Sequence, residues 1–521
     1  MKYFLCILLP LSITICRAQN PGDSIFNQNQ ILKIELNFSQ VSFWDSLVDN
    51  YITETYMLAD VTITDLLGIH QYDSIAIRLK GNSSYGHPGE KKSFKIDFNE
   101  YVSGQEYDGL RKLNFNNCFK DPTFMREKII YDICRFDSIN APRCNYANVY
   151  MNDEFWGFYN VVEQVDDEFL KTRFDDKSEN LFKAVAAFGM GGGGGGGVTE
   201  SDLAWYGDSQ TDYTELYELE NNEDENDWSD LVDLIDFINN TGDDVFASEL
   251  SLHFNTEQLM KSLALYNLFA NLDSYINSAR NYFIYNKDSS GVWEWINWDY
   301  NEAFGLYSGG PSTGDLTQLD IFYSNFNRPL LERILEIPET KELYETYYCE
   351  IKSAFFTSEF INTITSELYT LIQPSVYNDY NKMYSNEDFE TNIEEDLPGV
   401  MGGTTYGLKS FVNERNSYLD DVLSCSTSTT SENTTSEILV FPNPADHFIN
   451  IRYDQTLHSQ ANIQLFDISG NTIYNANTNE AINDFVTFET QNMPSGIYFL
   501  TITTSTTILT KKVIIYHTNT Q

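Results

Sequence analysis

Positive charge is scarce in this sequence: 32 Lys and Arg stand against 77 Asp and Glu, a formal charge of −45 over 521 residues. A chain so negative is repelled at long range by nucleic acid and by anionic lipid, which removes both as general partners. Cysteine is nearly as thin. There are seven, with no CxxC pair among them, so the spacing that a zinc finger or ribbon needs is missing. Two of the seven, Cys6 and Cys16, fall in the first 18 residues. The remaining Cys118, Cys134, Cys144, Cys349 and Cys425 are odd in number and leave Cys134–Cys144 and Cys349–Cys425 as alternative disulfides. Beyond residue 18 no apolar stretch approaches the ~20 residues that cross a bilayer as a helix, so no transmembrane segment is expected.

What is present first is an address. Residues 1–18 have a cationic start at Lys2, an apolar run and the small Ala18 ahead of Gln19, the pattern of a cleaved export signal. Its removal takes Lys2 and Arg17 and moves the charge from −45 to −47. With 42% hydrophobic and 15% aromatic residues, the rest of the chain can fill large cores and is long enough for two or more domains.

Composition then divides the chain. Residues 31–424 read as one mixed domain, residues 425–436 as a Ser/Thr-rich linker, and residues 437–521 as a small all-β sandwich of alternating apolar runs separated by turn signals such as Ser469-Gly470-Asn471. Inside the large domain, seven consecutive glycines at 191–197 form a flexible connector, because they lack the GK[ST] ending of a phosphate loop. The acidic run at 218–236 lacks the DxDxDG pattern of a calcium loop and reads as a solvated face.

The densest chemistry lies in residues 271–305, NLDSYINSARNYFIYNKDSSGVWEWINWDYNEAFG. Asp273 and Asn281 precede the strand-like run NYFIY, and a second run, VWEWINW, ends in Asp299, Tyr300 and Asn301. Phosphoryl transfer from a nucleotide needs such hard oxygens, one carboxylate to orient an acceptor hydroxyl and others to hold Mg²⁺ on the phosphates. The same acids would also serve as turn caps beside core strands. Earlier, residues 75–79 and 92–98 read as strands around a glycine-punctuated loop, and Arg78, Lys80, Lys91, Lys92 and Lys95 face a single acid, Glu90. That reversal of sign points to an anion site, or to an ordinary solvated hairpin. Residues 121–135 carry helical periodicity, so that Glu127 could pair a strand lysine across a cleft. Glu163 and Gln164 end a strand where a hinge between lobes would meet an adenine edge.

Several motifs in order resemble the spore-coat protein H (CotH) family: IRLKGNSS with KKSFKIDF, LNFNNCFKDPTFMREKI, VYMNDEFWGFYNVVEQVD, NLFKA, NLDSYINSARNYFIY and WINWDYNEAFG, over residues 73–305. The resemblance implies an α+β, atypical protein-kinase-like two-lobed domain that uses ATP with Mg²⁺ or Mn²⁺ to phosphorylate Ser or Thr of secreted or surface proteins. It matches Asp273 to the catalytic Asp and assigns Asn281, Asp299 and Asn301 to the metal. Lys92, Lys95 and Lys183 are the candidate phosphate contacts, and Glu163 marks the nucleotide hinge. Arg280 stands where the family usually has His, and Asn301 where a second Asp is common. An inactive kinase-like adhesin or scaffold is therefore the alternative. The tail resembles the C-terminal sorting domain of type IX secretion in the Bacteroidetes, through Phe441-Pro442-Asn443-Pro444, Leu465-Phe466-Asp467, Met493-Pro494-Ser495-Gly496-Ile497-Tyr498 and Lys511-Lys512-Val513-Ile514. It implies the type IX machinery as a partner and a secreted or cell-surface location.

Overall fold

A computed structural model describes residues 20–425, apart from 27–28, 186–199, 288–290, 308–313 and 400–402, together with the strands and short connecting pieces of a tail between 438 and 515. The export signal, the 191–197 glycines and the linker after Cys425 lie outside the described residues. The architecture is α+β.

Alternating apolar residues build the first body. Seven strands close a barrel in the order β1-β2-β3-β4-β5-β7-β6: β1 (Ile31–Asn37), β2 (Met57–Asp65), β3 (Gly68–Leu79), β4 (Phe94–Asp97), β5 (Lys112–Asn116), β6 (Cys144–Met151) and β7 (Glu154–Glu163). Period-two side chains such as Leu32, Ile34 and Leu36 or Phe94 and Ile96 fill its interior. Closure comes from β1, which runs parallel to β6 and antiparallel to β2. The β6–β7 hairpin turns on Asn152 (φ 48°) and Asp153 (φ 67°), two adjacent left-handed residues as a tight hairpin turn requires. Short helices α1 (Asp23–Phe26) and α2 (Phe43–Asp49) edge the barrel, and α3 (Arg126–Phe136) joins β5 to β6. The helix starts later than its periodicity predicts. Asp121 accepts the backbone N–H groups of Thr123 and Arg126 at 2.9 and 3.0 Å, which folds residues 121–125 into a turn.

After α4 (Asp167–Phe174), a four-stranded sheet of order β11-β10-β8-β9 is made by β8 (Leu181–Ala184), β9 (Tyr217–Leu219), β10 (Tyr282–Lys287) and β11 (Val292–Asn297). Helices α5 (Ser229–Asn240), α6 (Asp243–His253), α7 (Thr256–Leu268), α8 (Pro329–Glu336), α9 (Pro338–Phe355), α10 (Ser358–Asn378), α11 (Asn386–Glu394) and α12 (Leu408–Val422) share one large core with that sheet and with α3. A two-stranded pair, β12 (Leu397–Pro398) and β13 (Thr404–Thr405), precedes α12. The disulfide is Cys349–Cys425, joining α9 to the segment after α12. The alternative Cys134–Cys144 pair is absent, since both are buried free thiols.

In the tail, β14 (Ile438–Phe441), β15 (Phe448–Tyr453) and β18 (Phe485–Glu489) form one sheet, and β16 (Ala461–Asp467), β17 (Thr472–Thr478), β19 (Gly496–Thr503) and β20 (Ile508–Ile515) form a second. Ile449, Ile451, Ile463, Leu465, Leu500 and Val513 share a separate core. Among the described residues no helix is long and apolar enough to cross a membrane.

Candidate active site

One wall of the cleft belongs to the barrel. On β3, Ile75, Ile77 and Leu79 point inward, so parity sends Arg78 and the next residue but one, Lys80, to the outer side. The Lys80 ammonium donates to Asn114 Oδ1 on β5 at 3.0 Å and lies 5.7 Å from the Trp298 ring beyond β11. From α3, Glu127 is buried and accepts from Asn116 Nδ2 at 2.8 Å and Asn160 Nδ2 at 3.1 Å. Burial pushes its carboxyl up to about 7, with the charge of Asp299 adding to the effect and Lys80 opposing it. Burial likewise pulls Lys80 down to about 8, against the pull of Asp299 and Glu127. These three groups thus share one electrostatic neighbourhood. Lys95, paired in register with Arg78, is pulled down to about 7 by burial and then by Lys80 and Arg78.

The opposite wall begins where α7 ends. Ala270 takes φ 43° and turns the chain into the loop 271–281. Two buried arginines hold this region from behind. Arg415 on α12 donates to Leu268 O at 2.7 Å and Asn267 O at 3.0 Å, satisfying carbonyls at a helix C-terminus. Arg328 donates to Tyr275 O at 2.8 Å and to Asn277 O. In front, Asp273 Oδ1 accepts from Ser278 Oγ at 2.9 Å. Asn281 Nδ2 donates to Asp273 O at 2.7 Å and to its Oδ2 at 3.2 Å. Both carboxylate oxygens are therefore oriented. The Asn281 carbonyl accepts the Trp298 N–H at 3.2 Å, closing the base of the β10–β11 hairpin and bringing Asp299 beside Asn281. Asn281 (φ 62°) and Asp299 (φ 55°) are both left-handed, the kind of local strain that clusters at functional sites.

Asp299 reaches back to the first wall through its N–H, which donates to Tyr131 Oη on α3 at 3.0 Å. Burial pushes its carboxyl up to about 6, the Asp273 charge adds to this, and Lys80 and the Asn301 N–H oppose it. Glu302 is also buried and pushed up to about 7, first by burial, although Lys120 grips it at 3.0 and 3.1 Å.

The structure brings together Asp273, Asn281, Asp299 and Asn301, and sets Lys95 and Lys183 at the same cleft. Lys183 on β8 is held by Glu218 at 2.7 Å and Glu220 at 3.3 Å. Two expected residues are placed elsewhere. Lys92 spends its ammonium on the carbonyls of Tyr85 and His87 within the glycine-punctuated loop. Glu163 is buried with its carboxylate taken by Arg143 at 2.5 Å and Arg173 at 2.9 Å, and its N–H donates to Arg143 O. The Lys92 ammonium and the Glu163 carboxylate are thus both already engaged within the protein. Sequence reasoning counted Lys80 only within a basic cluster and missed Ser278 and Glu302. Strand parity and the alternation IAIRLK carried the signal for Lys80.

For a divalent cation the donors fit. The Asp273 charge adds to the burial that raises the proton affinity of Asp299, so a cation would meet uncompensated negative charge there, and the Asn281 Oδ1 has no partner among the described residues. In the metal-free protein, Asp299 and Glu127 hold protons more tightly in the fold than in the unfolded chain. Their contribution to stability is full below pH ~4. It is lost as pH rises through about 6 and 7. Asp299→Asn should therefore raise the unfolding temperature near pH ~7.5 and lower its pH dependence, read by thermal scans in EDTA beside wild type at each pH. Parallel curves for the two proteins would show that ionised Asp299 costs the fold nothing.

Residues 77–419 match the family described as CotH kinase protein. The chain belongs to that family. Residues 439–516 match the secretion system C-terminal sorting domain, which marks this CotH protein for secretion or the cell surface. The inner spore coat protein H of Bacillus subtilis (strain 168) is 27% identical over 341 residues, covering 64% of this chain and 84% of that protein. Invasin CotH3 of Rhizopus delemar is 20% identical over 337 residues, covering 62% of this chain and 53% of that one. A solved immunoglobulin-like β-sandwich protein from Bacteroides vulgatus is 22% identical over 15% of this chain and 81% of its own, with a TM-score of 0.14.

Proposed function

We propose that this CotH protein is an exported ATP-dependent protein kinase that phosphorylates Ser or Thr of secreted or surface proteins. Its barrel and helical half would act as two kinase-like lobes. The observation that carries the reading is the cleft itself: Asp273, Asn281 and Asp299 on one wall face Lys80 and Glu127 on the other.

In this reading Asp273 takes the proton of the acceptor hydroxyl, with Ser278 and Asn281 fixing its carboxylate. Lys80 and Lys95 place positive charge where phosphates would lie, and Glu127 balances Lys80. Mg²⁺ or Mn²⁺ would be held by Asp299 with Asn281 and Asn301, and would neutralise phosphate charge. The type IX secretion machinery would receive the chain through its tail.

A second reading, a surface adhesin without catalysis, has one observation in its favour. Among the described residues no group of three His, Cys, Asp or Glu is placed to hold a metal, so two amides must complete the donor set. The invasin relative is in keeping with it. Thermal scans of the purified protein separate the two. ATP with Mg²⁺ or Mn²⁺ should raise the unfolding temperature, by mass action on the folded state, and EDTA should reverse the rise. No shift at millimolar nucleotide with either metal rejects the kinase and favours the adhesin.

A further inference from the structure

The cations around the cleft differ in how they are used. Lys120 is held by Glu302, Lys183 by Glu218 and Glu220, and Lys92 by two carbonyls. Among the described residues, the Lys80 ammonium has only the neutral Asn114 as a hydrogen-bond partner, and the Lys95 ammonium has neither a hydrogen bond nor an ion pair. Both lie on the barrel wall. Arg280 stands on the other. Its Nε is 3.4 Å from Ser278 O and 3.6 Å from Asp273 Oδ1. The two terminal nitrogens, with four N–H donors, have no partner among the described residues, and the side chain is 34% exposed.

The backbone around it is as particular as the side chain. Ala279 (φ 46°) and Asn281 (φ 62°) are both left-handed, so Arg280 is presented between two conformations that L-residues other than Asn or Asp rarely adopt. A guanidinium kept only to hold Asp273 would gain most from a bidentate grip, yet here one nitrogen faces the carboxylate at long range and the fork extends past it. A planar fork with four unused donors beside a proton-accepting carboxylate matches tetrahedral phosphate oxygens in charge and geometry.

We propose, building on the kinase reading, that Arg280 is a catalytic residue that contacts the γ-phosphoryl group during transfer. In that step the acceptor oxygen forms a bond to the γ-phosphorus and the bond to the β,γ-bridging oxygen breaks. ADP leaves, and the acceptor proton passes to Asp273. Arg280 stabilises charge on the three non-bridging oxygens in flight, the role of an arginine finger supplied by the same chain.

The test compares the purified full chain with Arg280→Gln and Arg280→Lys, measuring transfer from labelled ATP and calorimetric binding of Mg²⁺·ADP with and without aluminium fluoride, a mimic of the transferring group. Loss of Arg280 should slow transfer by ~100- to 1,000-fold. Nucleotide affinity should stay within about threefold, because the contact belongs to the transition state. Wild type should bind ADP at least about tenfold more tightly with the fluoride than without it, and both variants should lose most of that preference, Lys included, because it lacks the fork. Unchanged transfer, or an undiminished fluoride preference, overturns the proposal. If wild type binds ADP but gains nothing from the fluoride, the proposal fails while nucleotide binding stands. If wild type binds no nucleotide, both fail. Should Arg280→Gln not fold, Arg280→Lys carries the comparison.

Discussion

Asp273→Asn should reduce phosphoryl transfer by ~100- to 10,000-fold, the range that a positioned general base contributes, while leaving the stabilisation by ATP and metal in place. The substitution is nearly isosteric. An Asn at 273 keeps an oxygen for the Ser278 hydroxyl, and the Asn281 amide still donates to the backbone carbonyl of residue 273. What it loses is the charge that accepts a proton. Asp299→Ala should behave differently, because a group that holds the metal acts on the nucleotide before any transfer occurs, so nucleotide stabilisation and labelling should both disappear. The readouts are labelled ATP with secreted proteins of the source organism and thermal scans of the same preparations. An Asp273→Asn protein that labels normally would remove the proposed base. One that loses the thermal shift as well would move Asp273 from the acceptor side to the nucleotide side.

The strands of both cores were legible because their period-two apolar pattern is local. The β6–β7 hairpin was readable at Asn152 and Asp153, and the β10–β11 hairpin at NYFIY and VWEWINW, since turn chemistry and alternation agreed there. The acidic half of the site followed from the same hairpin. Once Trp298 donates to the Asn281 carbonyl, Asn281 and Asp299 must be neighbours. The basic half was not local. Lys92 and Lys95 differ by three positions, yet the first turns back on its own loop while the second faces the cleft, a choice made by the Tyr85 and His87 carbonyls. The Glu163 carboxylate was unreadable for a related reason. It sits in a buried knot with Arg143 and Arg173, residues on either side of it in sequence that only the fold brings into contact. Barrel closure, with β1 parallel to β6, has no sequence signal of this kind, because it depends on a register between strands more than a hundred residues apart.

The largest stability effect should come from a place with no chemistry to perform. Lys91, just ahead of β4, is 1% exposed and meets Asp379, 0% exposed, at 2.6 Å, across 288 residues of sequence. Asp379 follows α10, so this contact pins the helical half to the barrel. The fit is close. A Cβ on Gly157 would lie 3.2 Å from both Lys91 Cε and Asp379 Oδ1. The partners are not equally protected against loss of the other. Asp379 also accepts the N–H groups of Phe158 and Asn381, each at 3.0 Å. Among the described residues, the Lys91 ammonium has, besides Asp379, only the rings of Phe124 at 4.7 Å and Tyr159 at 5.1 Å. Asp379→Asn therefore leaves a buried ammonium without a counter-charge and should cost about 3–5 kcal/mol, as for other buried pairs broken at one partner. Lys91→Met leaves a carboxylate that keeps two backbone donors and should cost less. The double variant, Lys91→Met with Asp379→Asn, buries no charge and should recover much of the loss, so the two single effects should not add. Denaturant titrations of the four proteins measure this. Additive losses would mean that the pair contributes only through its separate contacts and that the two halves are held together elsewhere.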